Sequence, residues 1–406
     1  MTVRFVRSSL KFLAVAVLLS GSSAFAYPWM VKHNYGACGT CHVDPSGGGQ
    51  LTSYGRAQAD VLVQWKLHKP PVDKEQEVPR SANFLWFLEL PDVVNLSGNF
   101  RDGVLVRPAT TAMPVIPLIM ATDLYATINV DRFVFHAAGG FGFRNEVAKA
   151  IVAPGCNPVT TSTGQCGPSF VSREFWAGAK FADEAVMVRA GRLNLPFGLR
   201  NYEHTSWVRA LTLTDINVDQ QVGVAVSYNS ETLRGEVMGI AGNFQTGPDA
   251  YRERGYSAFA EYAIKPNAYV GLSSLIAASK ADPATLAATT RHAHGLFARV
   301  APTENFALLA EADLLAWVSL PSTDRLGFAA WLQGDYEIMQ GLHVIGTLEG
   351  SSQGNAGETV PSLGGWLSAS WYLLPHCELR LDNILRKSPS ASAVDYSLLV
   401  MFHFFL

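Results

Sequence analysis

Two cysteines two residues apart, followed at once by a histidine, stand near the start of the chain: Cys38-Gly39-Thr40-Cys41-His42. Thiols at that spacing can add to the two vinyl groups of one haem, and the adjacent imidazole then ligates the iron from one side. A thioredoxin-like redox pair would need a βαβ surround, and no such pattern flanks these residues. The motif therefore predicts one covalently attached haem c, bound through Cys38 and Cys41, with His42 as an axial ligand. For the opposite axial position the first candidate is His33, which belongs to the same short segment. Met30, His68, His136 and His204 are the alternatives, and a Met/His pair would raise the potential. No distal acid/base constellation of a haem enzyme is visible, so an electron-transfer role is expected before a conventional enzymatic one.

Covalent haem attachment in bacteria takes place outside the cytoplasm, and the chain begins as an exported one would. Arg4, Arg7 and Lys11 precede an apolar run over residues 12–19, and Ala24-Phe25-Ala26 offers a small-residue cleavage site. That run is shorter than the ~20 residues a spanning helix needs. Residues 1–26 thus read as a signal peptide. It takes three of the 31 cations and none of the 34 anions, so the net charge falls from −3 to −6. With no basic block in the remainder, a nucleic-acid partner is not expected.

The elements that must position the motif fall into three stretches. Residues 27–68 form the haem segment. In it Val43-Asp44-Pro45-Ser46-Gly47-Gly48-Gly49 must turn. Leu51, Tyr54, Gln58, Val61, Leu62 and Trp65 then recur at helical spacing after a cap near Thr52. Residues 69–80 are polar and proline-bearing, a linker. A segment of this size is too short to build its own core, which predicts that it plugs something larger.

From about residue 81 the hydrophobic period becomes two. Val222, Val224, Val226 and Tyr228 share one face, as do Phe175, Ala177, Ala179 and Phe181, with Glu174 and Lys180 opposite. About sixteen such segments recur, an even number, as an outer-membrane barrel requires. Composition agrees: 48% of residues are hydrophobic and only 16% charged, yet polar residues interrupt every apolar stretch. The last segment places Tyr396, Leu398, Val400, Phe402, Phe404 and Leu406 at every second position, an apolar edge expected to face lipid to the end. The predicted fold class is all-β: an outer-membrane β-barrel of about 16 antiparallel strands over 81–406, its lumen plugged by a partly helical haem c segment.

Cys156 and Cys166 flank a loop-like stretch and are a disulfide candidate in an exported chain. Cys377 is expected to pack as a small apolar residue on a strand. Arg189, Arg192, Arg200, Arg209 and Arg234 could line an anion path, or pair with Glu203, Asp215 or Glu236 as ordinary lumen salt bridges.

The order of parts resembles a known family. Ala37-Cys38-Gly39-Thr40-Cys41-His42-Val43, the turn Pro45-Ser46-Gly47-Gly48-Gly49 and Leu51-Thr52-Ser53-Tyr54-Gly55-Arg56, followed by a barrel, are similar to the fused monohaem cytochrome–porins of the bacterial outer membrane. The stretch Gly191-Arg192-Leu193-Asn194-Leu195-Pro196-Phe197-Gly198-Leu199-Arg200 also resembles a recurrent loop motif of porins, anion-selective ones included. The family resemblance implies electron transfer across the outer membrane, from extracellular ferrous iron or another redox partner to a periplasmic cytochrome or other soluble carrier, in a protein surrounded by outer-membrane lipid. The alternative is an anion or small-solute porin whose haem is a structural plug or redox sensor.

Overall fold

The structure is a computed structural model that describes residues 28–66, 83–107, 115–144, 166–201, 203, 206–217, 219–243, 252–281, 287–320, 324–354 and 360–406. The signal peptide, the linker, His68, His204 and Cys156 lie outside the described residues. Cys166 opens a strand, so the Cys156–Cys166 pairing is not addressed by the geometry.

Sixteen antiparallel strands among the described residues close a barrel, from β1 (Val94–Val106) to β16 (Asp395–Phe405). Each strand pairs with its neighbours in sequence, and β1 closes on β16 with Asn99 opposite Phe405 and Val106 opposite Leu398. The connections alternate between turns of a few residues and long loops. The period-two reading fixes which face is which. In β6 (Gln221–Asn229), Ala225 and Ser227 point inward and are buried, while Val224, Val226 and Tyr228 point out. Leu124, Leu272, Leu296, Leu348 and Leu367 extend that outer face, each more than half exposed. An apolar wall of this kind, each strand hydrogen-bonded to two neighbours in a closed ring, is built for hydrocarbon. No described helix is long and apolar enough to cross a membrane; the strands do so.

Two expectations shift. The barrel starts at Val94 rather than near 81, because residues 84–88 form a short turn outside the wall, with the Trp86 ring tilted against Phe404 at 5.4 Å. Leu406 leaves the lipid-facing row and is buried inside. Its N–H donates to the Gly98 carbonyl at 2.8 Å and its carbonyl accepts from the Ser97 hydroxyl, which turns the chain end into the lumen.

Residues 28–66 fill the lumen from the short-turn end. A 3-10 helix spans Pro28–His33, a second turn spans Cys38–Thr40, and a bridge joins His42 to Leu51. Helix α1 (Ser53–Gln58) starts at Thr52, whose hydroxyl oxygen accepts from Gly55 N–H at 3.1 Å, the N-cap its residue type favours. The helical spacing towards Trp65 is only partly α: past Gln58 the chain widens into a π turn over Ala59–Val63. Plug and wall share an apolar cluster, and polar contacts pin them together at several points. Lys32 pairs with Glu337 at 2.8 Å and Asp335 at 3.5 Å, and Asp44 with Arg189 at 3.1 Å. Trp65 N–H donates to the Tyr372 carbonyl at 2.8 Å.

The long connection between β5 (Val186–Leu193) and β6 folds back into the lumen from the other end. Leu195, Phe197 and Leu199 are buried there, and helix α2 (Trp207–Thr212) packs against the inner wall. Plug and infolded loop meet: Arg200 Nη2 donates to Ser46 Oγ at 2.5 Å, and a side chain added at Gly48 would meet Ile216 at 3.2 Å.

Candidate haem site

Cys41 and His42 lie on the inner side of the plug and line a cleft between it, the wall and the infolded loop. Three features of the local sequence hold them there. The amides of Cys41 and His42 both donate to the Cys38 carbonyl, at 3.2 and 3.0 Å, which winds the motif into a tight turn. Thr52 Oγ1 donates to the Thr40 carbonyl at 2.8 Å and docks the start of α1 on that turn. Gly55 permits the close approach, since a Cβ there would lie 2.4 Å from the Cys41 carbonyl oxygen. The turn between motif and helix uses left-handed backbone at Gly47, Gly48 and Gly49, with φ of 99°, 86° and 64°, which glycine adopts without steric cost.

The cleft encloses about 1030 Å³ of atom-free space, its open side included. Plug, wall and infolded loop all contribute to the lining of this slot. Gly48, Gly49, Gly55 and Gly98 line it, so backbone can approach a ring face closely. Buried Arg200 also lines it, and its Nε and Nη1 meet no acceptor. Burial disfavours that cation, and Asp44 opposes the effect. An anionic group in the slot would give those donors the partner that buried charge demands, and haem carries carboxylates on one edge. On this observation the residues fit a haem.

Cys38 does not line the cleft. It is buried against Gly47, where an added Cβ would lie 3.1 Å from its sulfur, and Arg234 Nη1 donates to that sulfur at 2.8 Å. Gly47 is in turn the chain neighbour of cleft-lining Gly48. Cys38, Cys41 and Cys377 carry no disulfide. Burial pushes the Cys41 thiol up, with a smaller contribution from Cys38.

The remaining histidines separate. His33 is turned away from the cleft, with Nε2 3.9 Å from Glu337. His136 lies outside the lining, its Nδ1 2.9 Å from the Thr127 hydroxyl and its ring stacked on Trp176 at 5.0 Å. Met30 does line the cleft, and so does His403. Sequence reasoning did not single out His403, because a histidine on an alternating strand gives no sign of which inward residues share its level.

Most lumen arginines do form ion pairs or hydrogen bonds, but mostly with other partners than expected. Arg189 takes Glu236 at 2.6 Å as anticipated. Arg234 pairs with Glu261, Arg209 with Glu311, and Glu203 with Arg380 at 2.6 Å. Asp215 accepts from the amide and the side chain of Asn217, at 2.8 and 2.6 Å.

A second cavity, with about 3420 Å³ of atom-free space on the same measure, opens at the short-turn end. His42 lines this vestibule as well as the cleft. Glu89, Asp92, Asp131, Asp183, Glu184 and Glu231 stand exposed on its wall against three cations, Arg56, Lys180 and Lys265, and Lys180 is itself paired to Glu184 at 2.9 Å.

The barrel has the fold of outer-membrane porins. It is similar to OmpT with loop L8 deleted, an outer membrane protein of Vibrio cholerae, at 10% identity and a TM-score of 0.56, over 77% of this chain and 99% of that one. An anion-selective porin from Comamonas acidovorans matches at 13% identity and 0.54, over 77% and 99%. The outer membrane channel DcaP of Acinetobacter baumannii matches at 12% and 0.53, over 77% and 97%. At these identities the likeness is one of fold. No protein-family model and no curated protein matches the sequence.

Proposed function

We propose that this chain is an outer-membrane electron-transfer protein whose barrel holds a single haem c, attached through Cys38 and Cys41 and ligated by His42. One observation carries the reading: Cys41 and His42 of the Cys-x-x-Cys-His turn line a glycine-lined slot that the buried, under-bonded Arg200 also lines. A haem there would supply a one-electron centre. The chain's own residues do the rest. Gly55 lets α1 back the motif, Arg200 offers donors to propionates, and the infolded loop covers the slot towards the long-loop end.

His42 lines both slot and vestibule, so the site has an exit at the short-turn end, which faces the periplasm in barrels of this kind. The six carboxylates around that exit favour a soluble carrier with a cationic docking face. The donor at the other side would be extracellular, ferrous iron being the one the resemblance suggests. The signal-like leader and the apolar wall support placement in the outer membrane. The anion-channel reading is less well supported, because Arg189, Arg209 and Arg234 are neutralised by carboxylates and the plug and loop meet across the lumen.

The test is reconstitution. Liposomes bearing the protein and loaded with a reducible dye should pass electrons from an external donor, and the Cys38→Ser, Cys41→Ser double variant should lose both covalent haem stain and transfer. A wild-type protein that conducts ions freely and leaves the dye oxidised would overturn the conduit reading; stain that persists in the double variant would overturn the attachment.

A further inference from the structure

We infer that Met30 is the second axial ligand of the iron, an assignment that rests on the haem reading above. The cleft lined by His42 is also lined by Met30 and His403, and methionine and histidine are the side chains expected to share a c-type iron with a histidine. His403 is already engaged at both ring nitrogens: Nδ1 lies 3.1 Å from Glu378 Oε2 and Nε2 lies 2.9 Å from Asn99 Oδ1. To ligate, it would have to give up Asn99 at Nε2 or Glu378 at Nδ1, whereas a thioether sulfur ligates without giving up a strong hydrogen bond. His33, three residues beyond Met30, faces Glu337 instead.

Met30 is held where it is by its neighbours. It sits mid-turn in the 3-10 helix Pro28–His33 and is buried to 2% exposure. On one side Trp29 packs on His343 at 4.8 Å and on Tyr372 at 6.4 Å. On the other, Lys32 is locked by Glu337 and Asp335. These contacts fasten the turn to the wall and leave the Met30 side chain directed to the cleft. A thioether suits the task. It is neutral, so it adds no charge to desolvate in the slot, and its soft sulfur is a known haem ligand that raises the potential. The three rotatable bonds of a methionine side chain also let the sulfur adjust to a bound ring without moving the backbone.

The experiment reads the spectrum of the full-length holoprotein in detergent. Oxidised wild type should be low-spin and show the long-wavelength sulfur-to-iron charge-transfer band. Met30→Leu should lose that band entirely, shift the midpoint potential downward and keep its covalent haem stain. Met30→His should restore the low-spin state without the band, whereas His33→Ala should leave the wild-type spectrum intact. A covalently haem-loaded wild type without the band, or a band that survives Met30→Leu, overturns the assignment to Met30. Loss of the low-spin state in His403→Gln with Met30→Leu unchanged assigns the position to His403. A wild type that carries no covalent haem sinks the underlying site reading itself, so the two failures are distinguishable.

Discussion

The wall and the plug occupy one barrel but are stabilised in different ways. Along the wall every strand is bonded to two neighbours, and the outer face repeats one kind of residue, from Leu124 on β2 (Val115–Val130) to Leu367 on β14 (Ser362–Leu374). Stability there is distributed, and no single side chain holds the barrel closed. The plug has a small apolar seam, with Trp29, Met30, Val31, Ala59 and Val63 buried. Much of its attachment comes from a few discrete contacts: Lys32 to Glu337, Asp44 to Arg189, Arg56 Nη1 to the Leu96 carbonyl at 3.2 Å, and Gln340 Nε2 to the carbonyls of Val61 and Gln64 at 3.0 Å. Such a segment can be released by one substitution that the wall survives.

Arg189 is the sharpest place to break that difference. Its guanidinium is fully buried and lies within 3.1 Å of Asp44 on the plug and 2.6 Å of Glu236 on β7 (Leu233–Gly242). Arg189→Ala takes the nearest cation from two buried carboxylates and leaves them only the more distant Arg200, a loss of ~3–5 kcal/mol when one partner of a buried pair is removed. The strain falls on the movable element, so the plug should detach while the wall persists. Single-channel conductance should rise well above wild type, and residues 28–66 should become sensitive to protease, with the barrel still resistant to detergent unfolding. Wild-type conductance together with a protected plug would show that the tether lies elsewhere.

A charge on the outer face should do the reverse. Val224 is 54% exposed midway along β6, and Tyr228 lies on the same face one residue from the strand's end. Val224→Arg should destabilise the barrel by ~2–4 kcal/mol if it sits near the bilayer midplane, and Tyr228→Arg by ~0–1 kcal/mol near the interface. Unfolding in lipid vesicles by urea or guanidinium measures both. Equal losses at the two sites would mean that this face does not span the bilayer.

The same contrast explains what could be read from sequence. The wall was legible because its period of two is physical: alternate side chains must meet lipid and lumen, so Val222, Val224, Val226 and Tyr228 declare a strand directly. The motif Cys38, Cys41 and His42 was legible because attachment chemistry fixes its spacing, and Thr52 because a cap has few alternatives. Long-range partners were not. Arg234 faces Glu261 only because β7 and β8 (Glu253–Lys265) pair in that register, and Arg209 meets Glu311 only because the 194–220 connection folds inward. Leu195, Phe197 and Leu199 alternate as a strand would, yet they line a buried loop. Arg200 appeared as one arginine of several; the slot that makes it distinctive exists only after plug and loop have met.

Acid offers the mildest test of the plug's attachment, through Asp44. Burial alone would raise this carboxyl, but Arg189 and Arg200, with the amide and hydroxyl of Ser46 donating at 2.9 and 2.7 Å, hold it at about 2, below its ordinary 3.8. In the released plug Asp44 would titrate near the ordinary value. The attached form thus favours the ionised carboxylate, and its advantage is fully present above pH ~4. It is lost progressively as the pH falls from about 4 to about 2, where both forms are protonated; the whole contribution is ~2 kcal/mol. Conductance should therefore be flat from neutrality down to about pH 5 and rise below pH ~4. Other lumen carboxylates titrate in the same window, so the comparison is with Asp44→Asn, which should leak more at neutral pH and gain less on acidification. If wild type and Asp44→Asn rise in parallel, the Asp44–Arg189 contact does not hold the plug, and the remaining contacts, those of Lys32, Arg56, Trp65 and Gln340 among them, must do so.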